Sequence, residues 1–251
     1  LESDTNKKSI IKFIGLGKYG YQHLQRAQAL AEAKFSPEVE SLHEGFIELA
    51  FCKGTPLSYS DINENFINFV CKYLEFVNYN FKAEQRVSFD KMIEMIYYNV
   101  EQGIGSRFLF KVEKIAKEYK NLYEEDVVAV DGRLLPHDFI KGEQGYIKVD
   151  HLEHHADQFF HGSQNIAWDV AGFCVEFGLT ENSRRMVISR FKYVDNFIDK
   201  KLPFFLIAYS ACRLGYVKLA ADSLFGNYDG NKFRYRENLL VKDLKCLLNR
   251  I

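Results

Sequence analysis

A chain of 251 residues is long enough for one large domain or two small ones, with a sizeable core. Its 33 Lys and Arg against 34 Asp and Glu leave a formal net charge of −1, which argues against a dedicated nucleic-acid binder. Hydrophobic content of 47% with 27% charge excludes a disordered chain, and four prolines beside 22 Phe and 15 Tyr point to a compact, helix-rich interior.

The five cysteines, Cys52, Cys71, Cys174, Cys212 and Cys246, are scattered and never form C-x-x-C. They fit the reduced thiols of a soluble, cytoplasmic protein better than a disulfide framework or a zinc ribbon. The longest apolar run, about Leu202 to Cys212, is flanked by Lys201 and Arg213 and is too short to span a bilayer, so no membrane partner is expected. The chain opens at Leu1 without a Met, from which an upstream domain is expected.

In chain order, Ser9 to Ile14 reads as a strand that runs into Gly15-Leu16-Gly17-Lys18-Tyr19-Gly20. A helix follows from about Tyr21 to Ala33. Glu38 to Phe51 alternates around His43-Glu44-Gly45, which predicts an antiparallel hairpin closing on Gly54-Thr55-Pro56. Phe66, Phe69, Val70, Tyr73, Leu74 and Val77 recur at helical spacing behind a cap region at Ser60-Asp61. Ser88 can cap a second helix carrying Met92, Ile96 and Val100, and Phe108, Val112, Ile115 and Tyr119 mark a third. Val127–Val130 and Tyr146–Val149 read as two short strands around a polar loop and a Gly turn at 141–145. Helices are expected near 166–178, 181–200, 203–225 and 235–250. A small mixed part leading into a larger helical part is an α+β pattern.

Three motifs carry chemistry. Gly15-x-Gly17-x-x-Gly20 between a strand and a helix matches a dinucleotide fingerprint, which needs a second parallel strand ending in an acid such as Glu38 or Glu40. The alternative is a plain Gly-rich turn. His137, His151, His154, His155 and His161, interspersed with Asp131, Asp138, Asp150, Glu153 and Asp157, concentrate imidazole and carboxylate ligands from which a metal-dependent hydrolase could be built. The alternative there is solvated loop histidines. A small basic patch, Lys232, Arg234 and Arg236, is placed in a loop from Gly226 to Glu237 where it could touch an acidic partner.

The third motif is an order of segments: Val130-Asp131-Gly132-Arg133-Leu134-Leu135-Pro136-His137-Asp138-Phe139-Ile140, then Ile147-Lys148-Val149-Asp150, then Asn165-Ile166-Ala167-Trp168-Asp169-Val170-Ala171. It resembles the C-terminal lobe of the aminoglycoside phosphotransferase and choline kinase-like family, which shares the protein-kinase fold. The resemblance is close over about 40 residues and looser back to a hinge-like Phe46–Leu57. It implies small-molecule phosphoryl transfer from Mg-ATP, in which positioning and charge neutralisation do most of the work. Asp150, at a strand end, falls on the family's principal metal Asp, and Asp138 on its metal-binding Asn. Mg²⁺ takes such hard oxygen ligands. Asp169 matches the Asp that accepts hydrogen bonds from the catalytic loop. Lys12 stands where the phosphate-pairing lysine belongs, although Gln25 or Arg26 occupies the helix position where its Glu partner is expected and Glu32 is that helix's one acid.

The loop departs from the family at its centre. Arg133 occupies the position of the catalytic Asp, Asp131 that of the first His and Leu135 that of the second. A guanidinium cannot take a proton from a substrate hydroxyl at neutral pH. Asp131 is then the carboxylate left to orient a nucleophile, with Arg133 as a cation beside the transferring phosphate. The implied fold is a protein-kinase-like α+β domain with a reduced N-terminal lobe and hinge over residues 1–57 and a helical lobe over 58–251. Three functions remain open: an ATP- and Mg-dependent phosphotransferase of an unknown small molecule, a pseudokinase-type binding or scaffold module, and a hydrolase built on the histidines.

Overall fold

Two small antiparallel sheets and eight helices make up the computed structural model, which describes residues 8–83, 87–122, 127–143, 145–152 and 162–251. The first sheet has the order β1-β3-β2, from β1 (Ser9–Phe13), β2 (Val39–His43) and β3 (Phe46–Ala50). Helix α1 (Gly17–Glu32) lies between β1 and β2 in the chain. Ile14, Ala27, Ile47 and Leu49 close a small core between this helix and the sheet, joined by Leu152 from the far side of the chain. β1 is an edge strand on which Ile10, Ile11 and Phe13 stay about half exposed or more.

A dinucleotide fold is excluded by this sheet. β1 and β2 each pair antiparallel with β3, which lies between them, so among the described residues no adjacent pair of parallel strands forms around α1. The glycines serve packing instead. Gly15 sits at φ +103°, and a Cβ on Gly20 would fall 2.1 Å from the Gly15 carbonyl oxygen, so the strand-to-helix turn closes only without side chains. The helix also begins four residues earlier than its apolar pattern suggests, taking in Gly17 and Gly20.

The rest is built on helices: α2 (Glu64–Asn80), α3 (Phe89–Ile104), α4 (Leu109–Tyr119), α5 (Ala167–Glu176), α6 (Glu181–Phe191), α7 (Ile198–Ser223) and α8 (Tyr228–Asn249). Ser88 caps α3 through Lys91 N, while α2 is capped by Asn63 and not by Ser60 or Asp61. All ten residues of α5 are buried, because it is walled in by the long α7 and by α2-side aromatics such as Phe66 against Phe173 and Phe177. α7 runs through Pro203 from a start five residues upstream of it, which costs one main-chain bond near the helix N-terminus. By length and composition it is apolar enough to cross a membrane, but 67% of its most apolar window is buried inside the protein, against α3, α5 and α8.

The second sheet, order β4-β5-β6, holds the functional loop in place. β4 (Thr55–Pro56) pairs with β5 (Phe139–Gly142), and β5 with β6 (Gly145–Lys148). The hairpin expected from Val127–Val130 and Tyr146–Val149 is therefore corrected. Val128 makes only isolated bridges, to Lys82 and Gln164, because the strand that fits beside β6 is the apolar Phe139-Ile140. The basic patch is corrected as well: Lys232, Arg234 and Arg236 lie on α8, not in a loop. The chain has the α+β architecture of kinase-like folds, a small sheet-bearing N-terminal part and a helical C-terminal part, with one strand ahead of the first helix among the described residues.

Candidate functional site

Lys12 on β1 and Asp150, two residues beyond β6, are 138 positions apart in sequence and meet with Nζ 3.0 Å from Oδ1. Each side chain keeps about a third of its surface open, 36% for Lys12 and 35% for Asp150, so both are reachable from solvent. The partner expected for Lys12 on α1 is replaced by this carboxylate. Arg26 on α1 does something else: its Nη1 donates to Ala129 O at 2.6 Å, its Nε to His151 O at 3.2 Å, and its guanidinium lies 4.4 Å from the Phe81 ring centroid. It ties α1 to both segments that carry the loop carboxylates.

The loop at 130–138 is braced from α5. Asp169, in the first turn of that helix, accepts from Asp131 N at 2.7 Å on Oδ2 and from Gly132 N at 2.8 Å on Oδ1. Trp168 Nε1 adds a bond to Gly132 O at 3.1 Å. Burial, then the charge of Asp131, pushes the Asp169 carboxyl up to about 7, against the two backbone bonds that favour its charged form. A single turn of 3-10 helix at Pro136–Asp138 ends the loop, where Leu135 N donates to Asp138 Oδ2 at 2.9 Å and Val149 N to the Asp138 carbonyl at 2.7 Å.

Behind the loop lies a polar cluster out of reach of solvent. The ammonium of Lys148, fully buried on β6, stands 3.1 Å from Asp131 Oδ2 and 3.8 Å from Asp138 Oδ2, and also donates to the carbonyl of Asp150. Tyr73 on α2 donates to Asp131 Oδ2 at 2.5 Å; burial and the Asp131 charge hold its phenol well above the usual range, so the proton stays on tyrosine. Asp131, the carboxylate expected to orient a nucleophile, sits inside this cluster. Its side chain has no exposed surface and is held by an ammonium and a phenol. Asp138, the other expected metal ligand, has a side chain 3% exposed, and Leu135 N and Lys148 face its carboxylate.

Arg133 is half-buried, its guanidinium 6.0 Å from the Tyr216 ring centroid on α7, with Nε enclosed. Of the residues that could hold a divalent cation, Asp150 fits, being a partly open carboxylate at a strand end. Among the described residues no three His, Cys, Asp or Glu side chains come together as a metal site. His137 is exposed, and His151 is buried, with its pKa lowered to about 3 by burial and by the charges of Lys148 and Arg26. His154, His155, His161, Glu153 and Asp157 lie outside the described residues.

Lys148 and Tyr73 were not anticipated. The one signal for Lys148 is a period-two strand, Tyr146-Ile147-Lys148-Val149, in which a lysine shares a face with a half-buried aromatic. Tyr73 reads as one more apolar helix position.

No protein-family model matches the chain, and no curated protein matches it. Solved structures do. Choline kinase LicA from Streptococcus pneumoniae superposes with a TM-score of 0.65 at 17% identity, over 97% of this chain and 88% of that one. LicA in complex with AMP gives 0.65 at 16% identity, over 97% and 86%. A choline/ethanolamine kinase family protein from Mesorhizobium loti gives 0.69 at 14% identity, over 96% and 82%. The chain thus has the fold of these choline-kinase-like proteins.

Proposed function

We propose that this chain is a kinase-fold nucleotide-binding protein whose phosphoryl-transfer activity is weak or absent. The observation that carries this is the Lys12–Asp150 pair, 3.0 Å apart with both side chains partly open. A cation on the small sheet and a carboxylate at a strand end are the two charges needed to hold a nucleotide's phosphates and their cation. The fold shared with LicA in complex with AMP supports the same placement.

Mg²⁺ held by Asp150 would supply charge neutralisation between phosphate oxygens. Lys12 would pair a phosphate oxygen directly and lose part of its contact with Asp150 in doing so. Asp169 keeps the loop backbone in place. What the described residues lack is an accessible carboxylate in the loop: Asp131 and Asp138 are buried, and Arg133 cannot accept a proton. Binding is therefore retained where transfer is impaired, and the acceptor molecule is a small compound.

A thermal-shift titration with ATP, with and without Mg²⁺, tests the binding half. Nucleotide at about 100 times Kd should add about 2.7 kcal/mol of apparent stability. No shift under either condition overturns nucleotide binding. A nucleotide-hydrolysis assay tests the other half, where sustained turnover overturns the impaired chemistry.

A further inference from the structure

Beside the loop, between the ends of α5, α7 and α8, lies a cavity of about 610 Å³, large enough for a small organic ligand. Leu135, Pro136 and His137 form the wall nearest the loop, with Val217 and Phe233 among its apolar residues. Its charged lining is uneven. Arg213, Lys232 and Arg236 face two carboxylates, Glu176 and Asp229.

The pairing leaves donors over. Glu176 is buried and takes Arg213 Nε on Oε1 at 2.5 Å and Arg236 Nη2 on Oε2 at 2.9 Å, so one carboxylate serves two guanidinium groups. Lys232 reaches Asp229 at 3.2 Å on the surface. Neither Nη atom of Arg213 nor the Nη1 and Nε atoms of Arg236 donate to a protein acceptor among the described residues. Both arginines line the cavity, and with Arg213 11% and Arg236 22% exposed each guanidinium is largely covered but not sealed from it. The Tyr216 ring links the cavity to the loop, with Arg213 4.9 Å and Arg133 6.0 Å from its centroid.

We propose that this cavity binds a small organic anion, a carboxylate or phosphate ester with an apolar body, through the free guanidinium edges of Arg213 and Arg236. Forked N–H donors match the paired oxygens of such groups, and partial burial strengthens the contact. A quaternary ammonium finds no uncompensated carboxylate here. The role of that anion as the small molecule served by the nucleotide site rests on the proposed function; the anion preference of the cavity does not.

The test is calorimetric titration of the full chain with sodium phosphate, citrate and choline chloride at constant ionic strength, beside a separate ADP titration. Phosphate or citrate should bind and choline should not. Arg236→Gln should weaken the anion about tenfold or more and Lys232→Gln less, with ADP affinity within about twofold of the parent in both. Glu176 keeps Arg213 and Tyr209 as partners in the first variant, so its fold is retained. Choline binding without anion binding, or anion affinity unchanged in both variants, overturns the proposal. ADP binding with no anion binding overturns the cavity alone; anion binding lost in Arg236→Gln with no ADP binding supports the cavity and overturns the nucleotide site.

Discussion

The acidic residues in and beside the 130–150 segment are sorted into different work by their surroundings. Behind the loop, Asp131 and Asp138 face the buried ammonium of Lys148, and Asp169 accepts two main-chain N–H groups. Nearer the surface, Asp150 meets Lys12 with a third of each side chain still open to water. In the first region a charge is tolerated only because it is paired, and breaking the pair leaves an ion in a medium that cannot solvate it. In the second, water screens the pair, so it contributes little to stability. The dry cluster shapes the loop, and the wet pair is where nucleotide binding is proposed.

The largest effect that can break this contrast is expected at Lys148. Lys148→Met should cost about 3–5 kcal/mol in urea denaturation, because Asp131 and Asp138 lose their buried cation. Adding Asp131→Asn to that variant should recover part of the loss. A single variant as stable as the parent would show that the carboxylates do not depend on Lys148.

Asp169→Ala should cost about 1–3 kcal/mol through the two orphaned donors at Asp131 and Gly132. The same carboxyl makes a pH signature. Its pKa is raised from 3.8 to about 7 in the fold, so the folded protein holds this proton more tightly than the unfolded chain. That stability is complete below pH 3.8 and lost as pH rises through about 7. Urea midpoints from pH 4 to 8 should carry this downward component, and Asp169→Asn should remove it.

Asp150→Asn sharpens the other side. Stability should change by less than about 1 kcal/mol, while Mg²⁺-dependent ADP affinity falls about tenfold or more. Asp138→Asn should leave that Mg²⁺ dependence in place. Equal loss in both would return Asp138 to the metal.

The smallest effect is expected from Arg133→Asp, which puts an accepting group at the family's base position. A detectable rise in ATP turnover over the parent, with ADP affinity little changed, is the expected result, since a base acts in the transition state and not in ground-state binding. No rise would place the block elsewhere than at this residue.

Much of this was legible in the chain. The helices announce themselves by apolar spacing because each buries one stripe, and α2 and α3 fall where Phe66 to Val77 and Met92 to Val100 place them. The hairpin of β2 and β3 follows from alternation around Glu44-Gly45, with Glu44 at φ 48° and Gly45 at φ 82° making the turn. The order of the loop, strand-end and helix-start segments pointed to a kinase-like fold. The β5–β6 pairing was missed because Val127–Val130 has equal strand propensity, and only the neighbours available in space decide which segment pairs.

Local pattern, then, settled the elements and the position of each charged residue along them, since period and turn chemistry act over a few residues. The fate of those charges was settled only in three dimensions. Tyr73 reaches Asp131 across 58 positions and Lys12 reaches Asp150 across 138, and neither meeting leaves a trace in the sequence around it. A carboxylate becomes a buried strut or an open ligand according to the dielectric and the partners around it, and both come from segments that only the folded chain brings together.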